Sequence, residues 1–496
     1  MGDIAVIGGG FAGLSAASYL AKAGYKVDLY EKNDSLGGRA RVLSASGYVF
    51  DMGPSWYWMP EIFESFFKDF GYTSSNFYRL SRLDPGFSVV FDKNVVLDIP
   101  SKIEDIAAKF ELIEKGSADK LRSFLMQAKR KYEVGMGQMV QKPTIKLADL
   151  FDVKLLKGLF SLQVFTSLSS HVRKYFKHPA LRALMEFPVL FLGATPEDTP
   201  AMYSLMNYAA LKLGTWYPQG GFGKVVDGFA SVAAEHGVVF KKGTAVTAIK
   251  AEGSTISGLY TAEGFTEYKA VLAAADYHHV EQQLLPVEYR TYSPAYWDKR
   301  IMAPSCLIFY LGINKKVNRL QHHTLFFDES LKQHGYEIYK KPQWPSRPLF
   351  YVCCPSKTDG PVAPAGHENL FILMPLAVGL QDTDALRSKY FDIIMSRLES
   401  YTGQAVKPHI AYQKSYCLND FVFDYNAFKG NAYGLANTLM QTANLKPSLK
   451  SSKLDNLVYA GQLTVPGPGV PPSIISGKIA ANELIKYLKK GNERKI

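Results

Sequence analysis

Gly8, Gly10 and Gly13 follow a short apolar run, Ile4–Ile7, and open a stretch of helical period. In such a spacing the first glycine makes a tight turn, the second lets a pyrophosphate approach the backbone, and the third lets helix and strand pack closely. Free N–H groups and the dipole at the helix N-terminus then favour the anion. Glu31 ends the next apolar run, where a carboxylate accepts hydrogen bonds from ribose hydroxyls and disfavours a 2′-phosphate. A second turn, Asp34-Ser-Leu-Gly-Gly-Arg-Ala-Arg41, sets two glycines beside two guanidinium groups, from which Arg39 can reach the same pyrophosphate. Far along the chain, Gly461, Gly467 and Gly469 alternate with Pro466, Pro468 and Pro471. Glycines admit a planar ligand to the backbone, and prolines keep the loop's polar groups aimed.

These residues need a scaffold of alternating strands and helices. The pattern predicts a strand at 4–7, a helix through Ala12, Ala16, Ala17 and Leu20 ended by Gly24, and a strand at 27–30. Further strands are expected at 238–240, 246–249, 270–274 and 457–461, with helices at 225–234 and from about Pro472 to Lys489. The fold class is therefore α/β. One domain is expected to assemble from 1–90, 221–285 and 426–496, and a second from the aromatic-rich intervals 91–220 and 286–425.

The 496 residues are 47% apolar and 21% charged, which excludes disorder, collagen and coiled coil. Lysine and arginine outnumber the acids 57 to 45, a net charge of +12 that attracts anionic surfaces; about half of the excess lies in 120–157, and the tail 486–496 is basic as well. No run of eighteen apolar residues and no basic leader is present, so a peripheral membrane contact is expected rather than a span or a secretory signal. Segment 155–168 has the composition of an interfacial helix. The four cysteines lack C-x-x-C spacing, which argues for a reducing compartment and against structural zinc. The pairs His278-His279 and His322-His323 are expected to point their side chains apart, as surface or packing residues, with no metal, and Cys353-Cys354 to act as small buried hydrophobes. Trp56, Tyr57 and Trp58 are placed to line an apolar channel, with Phe63, Phe66 and Phe67 in the core. A serine-hydrolase G-x-S-x-G is absent.

The turn after Asp34 resembles the flavoprotein pattern in which Gly-Gly-Arg supports FAD, as in the amine-oxidase and carotenoid-desaturase superfamily. Phe50-Asp-Met-Gly-Pro-Ser55 resembles the F-D-x-G-P-[ST] element of the bacterial and fungal phytoene desaturase family, and Trp216-Tyr-Pro-Gln-Gly-Gly221 its Y-P-x-G-G segment. The run from Asn456 through Gly461, Pro466, Gly467 and Gly469 to Pro471 resembles that family's closing flavin motif. Two residues depart from it: Val465 stands where many members have histidine, and Gln462 where a small residue is frequent.

The resemblance implies a Rossmann-like FAD-binding domain of the glutathione-reductase and amine-oxidase type with a discontinuous α+β substrate domain. It assigns the cofactor to Gly8, Gly10, Phe11, Ala12 and Gly13, then to Glu31, Lys32, Gly38 and Arg39. Gly53, Pro54, Ser55 and Val246 follow, and Gly461, Gly469, Val470 and Pro471 complete the set. No catalytic residue is assigned. The implied activity is FAD-dependent carotenoid desaturation, introducing double bonds stepwise into phytoene toward lycopene by hydride transfer to the flavin. A related carotenoid desaturase, a cis-trans isomerase and an amine oxidase are the alternatives. The implied partners are a long apolar isoprenoid, a membrane lipid surface, and oxygen or a quinone as electron acceptor, with no nucleic acid. The implied location is cytoplasmic and peripherally membrane-associated.

Overall fold

A computed structural model describes residues 2–136, 163–441 and 445–493. At the N-terminus β1 (Ile4–Ile7), α1 (Phe11–Lys22) and β2 (Val27–Glu31) follow in the expected order. β1 is central in a five-stranded parallel sheet of order Leu457–Tyr459, Ala270–Ala273, β1, β2, Val239–Lys242. A parallel strand covered on both faces must be apolar throughout, and β1 divides its residues accordingly. Ile4 and Val6 pack with α1 and the helices Phe222–Glu235 and Val470–Glu493, whereas Ala5 and Ile7 pack toward the small antiparallel sheet of residues 246–267.

The alanines of α1 let the C-terminal helix come close. A Cβ on Gly477 of that helix would stand 2.3 Å from the Ala12 carbonyl oxygen, and Ser15 Oγ donates to the Ile474 carbonyl at 2.8 Å. Phe63, Phe66 and Phe67 of the helix Pro60–Asp69 fill the same core, as their spacing predicts.

A second sheet of seven strands runs Ile410–Tyr416, Ser305–Ile313, Glu368–Leu376, Phe350–Cys353, His323–Phe326, Phe87–Asp92, Val95–Ile99. Its pairings are antiparallel except that of His323–Phe326 with Phe87–Asp92. The strand Ser305–Ile313 is buried along its whole length and alternates between two cores. Leu307, Phe309, Leu311 and Ile313 pack with the helix Asp384–Thr402, while Cys306, Ile308 and Tyr310 face a core shared with the helices Ile103–Ile113, Ser117–Val134 and Leu168–Tyr175.

The expected boundary at 90/91 falls inside the strand Phe87–Asp92, so this sheet takes most of its strand next to the edge from residues before that boundary. Most of segment 155–168, with its interfacial-helix composition, lies outside the described residues, as does the second half of the basic stretch 120–157. Among the described residues no helix is long and apolar enough to cross a membrane.

Candidate active site

The glycine turns meet at the C-terminal end of the parallel sheet, where ligands of open α/β sheets bind. Gly8 has φ +105°, a conformation that excludes side chains, and a Cβ there would lie 2.8 Å from the Ala275 backbone nitrogen. A Cβ on Gly13 would stand 1.8 Å from the Gly8 carbonyl oxygen. Gly13 therefore joins helix to strand, and it is the one member of the expected cofactor set that does not reach the cavity described next.

Gly10 caps α1 without a side-chain hydrogen bond, and a Cβ there would meet nothing of the protein closer than Gly38 Cα at 3.8 Å. The backbone has left room for something else. The second turn is bound to the first: Gly37 N–H donates to the Gly9 carbonyl at 2.8 Å, bringing Gly38 and Arg39 to the same opening.

One cavity runs from these turns into the second sheet. At its first end Gly8, Gly10, Phe11, Ala12, Glu31, Lys32, Gly38 and Arg39 line it, with Val246 beside them. Glu31 is buried; its Oε2 accepts the Gly9 N–H at 2.8 Å and its Oε1 the Asn33 N–H at 2.9 Å. The Arg39 guanidinium donates to the Asn431 carbonyl at 3.1 Å and lies over the Tyr425 ring, while its buried Nε has no partner. Burial pulls the Arg39 pKa down and the Asp276 carboxylate opposes the shift; burial pushes Asp276 up and Arg39 opposes that. Arg41, the other guanidinium of the turn, pairs instead with Asp424.

In the middle, Gly53, Pro54 and Ser55 face Gly461, Gln462, Gly469, Val470 and Pro471 across the opening. The helix Val470–Glu493 begins two residues earlier than its sequence pattern predicts, so a second helix N-terminus borders the cavity. Gly461, at φ +109°, is anchored through its N–H to Ser476 Oγ at 2.9 Å. Val465 is turned away and packs against the parallel-sheet core.

At the far end the wall becomes apolar: Met52, Trp56, Trp58, Met206, Ile308 and Leu373. Trp56 and Trp58 are where an apolar channel needs them. Tyr57 is not, because it turns into the core, stacked on Phe63 at 4.2 Å with its hydroxyl 2.8 Å from that of Tyr78.

The histidine pairs require a correction. His322 and His323 do not diverge: both are buried, their ring centroids are 4.5 Å apart, and a ring nitrogen of each lies with Cys353 Sγ inside 4.8 Å. His322 precedes its strand, so strand alternation does not send the two side chains to opposite faces. His279 lines the cavity, and His278 stacks on Phe428 at 3.9 Å. Cys353 and Cys354 are buried thiols, as expected.

Sequence reasoning missed Tyr351, Cys306, Tyr433 and Asp276 on the cavity wall. No local motif marks them, since each arrives from a separate strand or loop.

A parallel sheet with two uncapped glycine turns, a buried acid on its second strand and a cavity leading into an apolar domain defines an FAD-dependent oxidoreductase. Similarity to known proteins agrees. Residues 11–485 match the family described as flavin containing amine oxidoreductase. The chain is 41% identical over 98% of both chains to carotenoid 3,4-desaturase of Haloarcula japonica. To the zeta-carotene-forming phytoene desaturase of Myxococcus xanthus it is 29% identical, covering 98% of this chain and 94% of that one. The fold of a redesigned putrescine oxidase superposes with a TM-score of 0.64 over 98% of this chain and 99% of that one, at 12% identity. The chain belongs to the flavin containing amine oxidoreductase family, within its carotenoid desaturases.

Proposed function

We propose that the protein is an FAD-dependent carotenoid desaturase that introduces double bonds stepwise into phytoene. The single observation that carries this is one continuous cavity, polar and glycine-lined at the dinucleotide turns and lined by Met52, Trp56, Trp58, Met206, Ile308 and Leu373 beyond them. Bound FAD supplies a two-electron acceptor for hydride. The residues that would hold it are the sixteen cavity-lining members of the set above, and the open Cβ position at Gly10 and the unpartnered Arg39 Nε both suit an anionic group there.

The chain's own part is to bind, orient and dry. The N-terminus of α1 and the Arg39 guanidinium favour the pyrophosphate. Glu31, already fixed by Gly9 and Asn33, presents its remaining lone pairs to a ribose. The apolar end holds an isoprenoid segment by its shape and excludes water from the reacting carbons.

Anaerobic mixing of the FAD-loaded protein with phytoene in liposomes tests the reading. The flavin absorbance should bleach, oxygen or a quinone should restore it, and the products should absorb at progressively longer wavelength. Reduction by an amine but by none of several C30 and C40 isoprenoids would refute it, and products of unchanged mass would support an isomerase. A second reading, desaturation at the 3,4 position of an already conjugated carotenoid, is favoured by the 41% identity to the Haloarcula japonica protein. Supplying phytoene and a conjugated carotenoid side by side separates the two. The charge of +12 supports a peripheral contact with anionic lipid; flotation with anionic but not neutral vesicles, weakened by salt, is the expected result.

A further inference from the structure

A chain of polar side chains leads away from the apolar end of the cavity. Tyr351, on the strand Phe350–Cys353, reaches the cavity wall, and its hydroxyl lies 3.0 Å from Ser55 Oγ, also on the wall. The same hydroxyl lies 2.6 Å from His323 Nδ1. Beside it, His322 holds its own Nδ1 2.6 Å from Oγ1 of Thr358, an exposed residue. The two ring centroids are 4.5 Å apart, and each Nε2 is buried without a hydrogen-bond partner.

Trp56 stacks on His323 at 4.2 Å with planes 10° apart, and Tyr217 packs on His322 at 4.6 Å. The rings are held in place with both Nε2 atoms unpaired, an arrangement that costs free energy. Burial keeps both imidazoles neutral, pushing His322 down to about 3 and His323 well below its usual value. Each can therefore take up a proton only transiently and release it readily.

Desaturation creates a need for such an exit. Forming one C=C removes two hydrogens: one leaves as hydride with its bonding pair to the oxidised flavin, and the other leaves as a proton while its bonding pair becomes the new π bond. Oxygen or a quinone later reoxidises the flavin. The cavity's carboxylates stand at the other end, already engaged: Glu31 by Gly9 and Asn33, Asp276 by His279 N–H at 3.2 Å, Asp424 by Arg41.

We propose that Ser55, Tyr351 and His323 carry this proton out of the cavity and that His322 and Thr358 deliver it to water. This rests on the desaturase reading. Each hydroxyl gives up its own proton as it receives the next, and His323 passes one from Nε2 toward the free Nε2 of His322.

The test uses the full chain loaded with FAD, in phytoene liposomes, with flavin bleaching followed anaerobically. Tyr351→Phe and His323→Ala should slow bleaching by about 100-fold or more, while FAD content and photoreduction of the flavin without carotenoid stay at wild-type levels. Added imidazole should restore His323→Ala and leave the wild type unchanged. In the carotenoid-free protein, 15N spectra should show the His323 Nδ1 hydrogen bond lost in Tyr351→Phe, a conservative change that keeps the ring.

Wild-type bleaching rates in both variants would overturn the relay, as would a slow His323→Ala that imidazole does not rescue. A transition metal bound near one per chain and lost in His322→Phe would also overturn it, by showing that the free nitrogens and Cys353 hold a cation. If the wild type itself is not bleached by any carotenoid while photoreduction works, the desaturase reading falls, and the relay with it.

Discussion

The two sheets solve different problems. The parallel sheet and its turns hold a ligand with backbone: Gly8 at φ +105°, Gly461 at φ +109° and the uncapped start of α1 leave spaces in which no side chain fits or is needed. The seven-stranded sheet lines its part of the cavity with side chains, Ile308, Tyr351 and Leu373, each from a different strand. Backbone sites tolerate almost no substitution, whereas side-chain walls can be reshaped at modest cost. On the proposed function, that difference gives a fixed cofactor end and an adjustable substrate end.

The contrast can be broken most severely at Gly13. With its Cβ 1.8 Å from the Gly8 carbonyl oxygen, Gly13→Ala forces strand and helix apart. A loss of about 3 kcal/mol or more is expected, read as little folded protein in denaturant melts. Gly10→Val should spare the fold and remove the flavin, because its Cβ points into space that the protein leaves open. The expected result is a protein that melts near the wild-type apoprotein and carries under about a tenth of the FAD of the loaded wild type; normal flavin content would contradict the assignment of the turn.

On the other side of the comparison, Ile308→Trp should keep the flavin and its spectrum while blocking the apolar end. Bleaching by phytoene should slow by about tenfold or more for a destabilisation of about 1–3 kcal/mol, and lost FAD would show that the two ends are not separable.

The smallest effect is expected at Asp51, where the halves join. Its carboxylate accepts N–H groups of Phe222 and Gly223 at the start of a helix, yet one oxygen is buried without a partner, and burial pushes its pKa up to about 7. A raised acid stays protonated in the fold where the unfolded chain has already ionised, so its contribution is full below about pH 4 and lost as pH rises through about 7. Asp51→Asn should therefore melt above the wild type at about pH 8, with the gap narrowing as pH falls and closed only by about pH 4. A gap independent of pH would place the titration elsewhere.

Most of the nucleotide end is legible in the sequence. Gly8, Gly10, Gly13 and Glu31 occupy fixed offsets along one local strand, turn, helix and strand, and a local unit carries its geometry with it. The closing loop is legible for the same reason, as clustered glycine and proline restrict only their own neighbourhood. The wall of the apolar end is not. Trp56 and Trp58 face the cavity while Tyr57 between them turns into the core, and alternation along a chain does not say which face is which.

The histidines show the limit most sharply. Adjacent residues in a strand point to opposite faces, so His322 and His323 read as a diverging pair. His322 lies before the strand begins, and the two rings come together against Cys353 of the neighbouring strand. By itself the sequence determined the α/β class, the dinucleotide turns and the segments that build them, because each depends on residues close together in the chain. Only the tertiary structure decided that those turns open into an apolar cavity, and that Ser55, Tyr351, His323 and His322 line up beside it. Those neighbours are brought together by strand pairing between distant segments, and pairing order is set by how whole sheets bury their faces rather than by any local spacing.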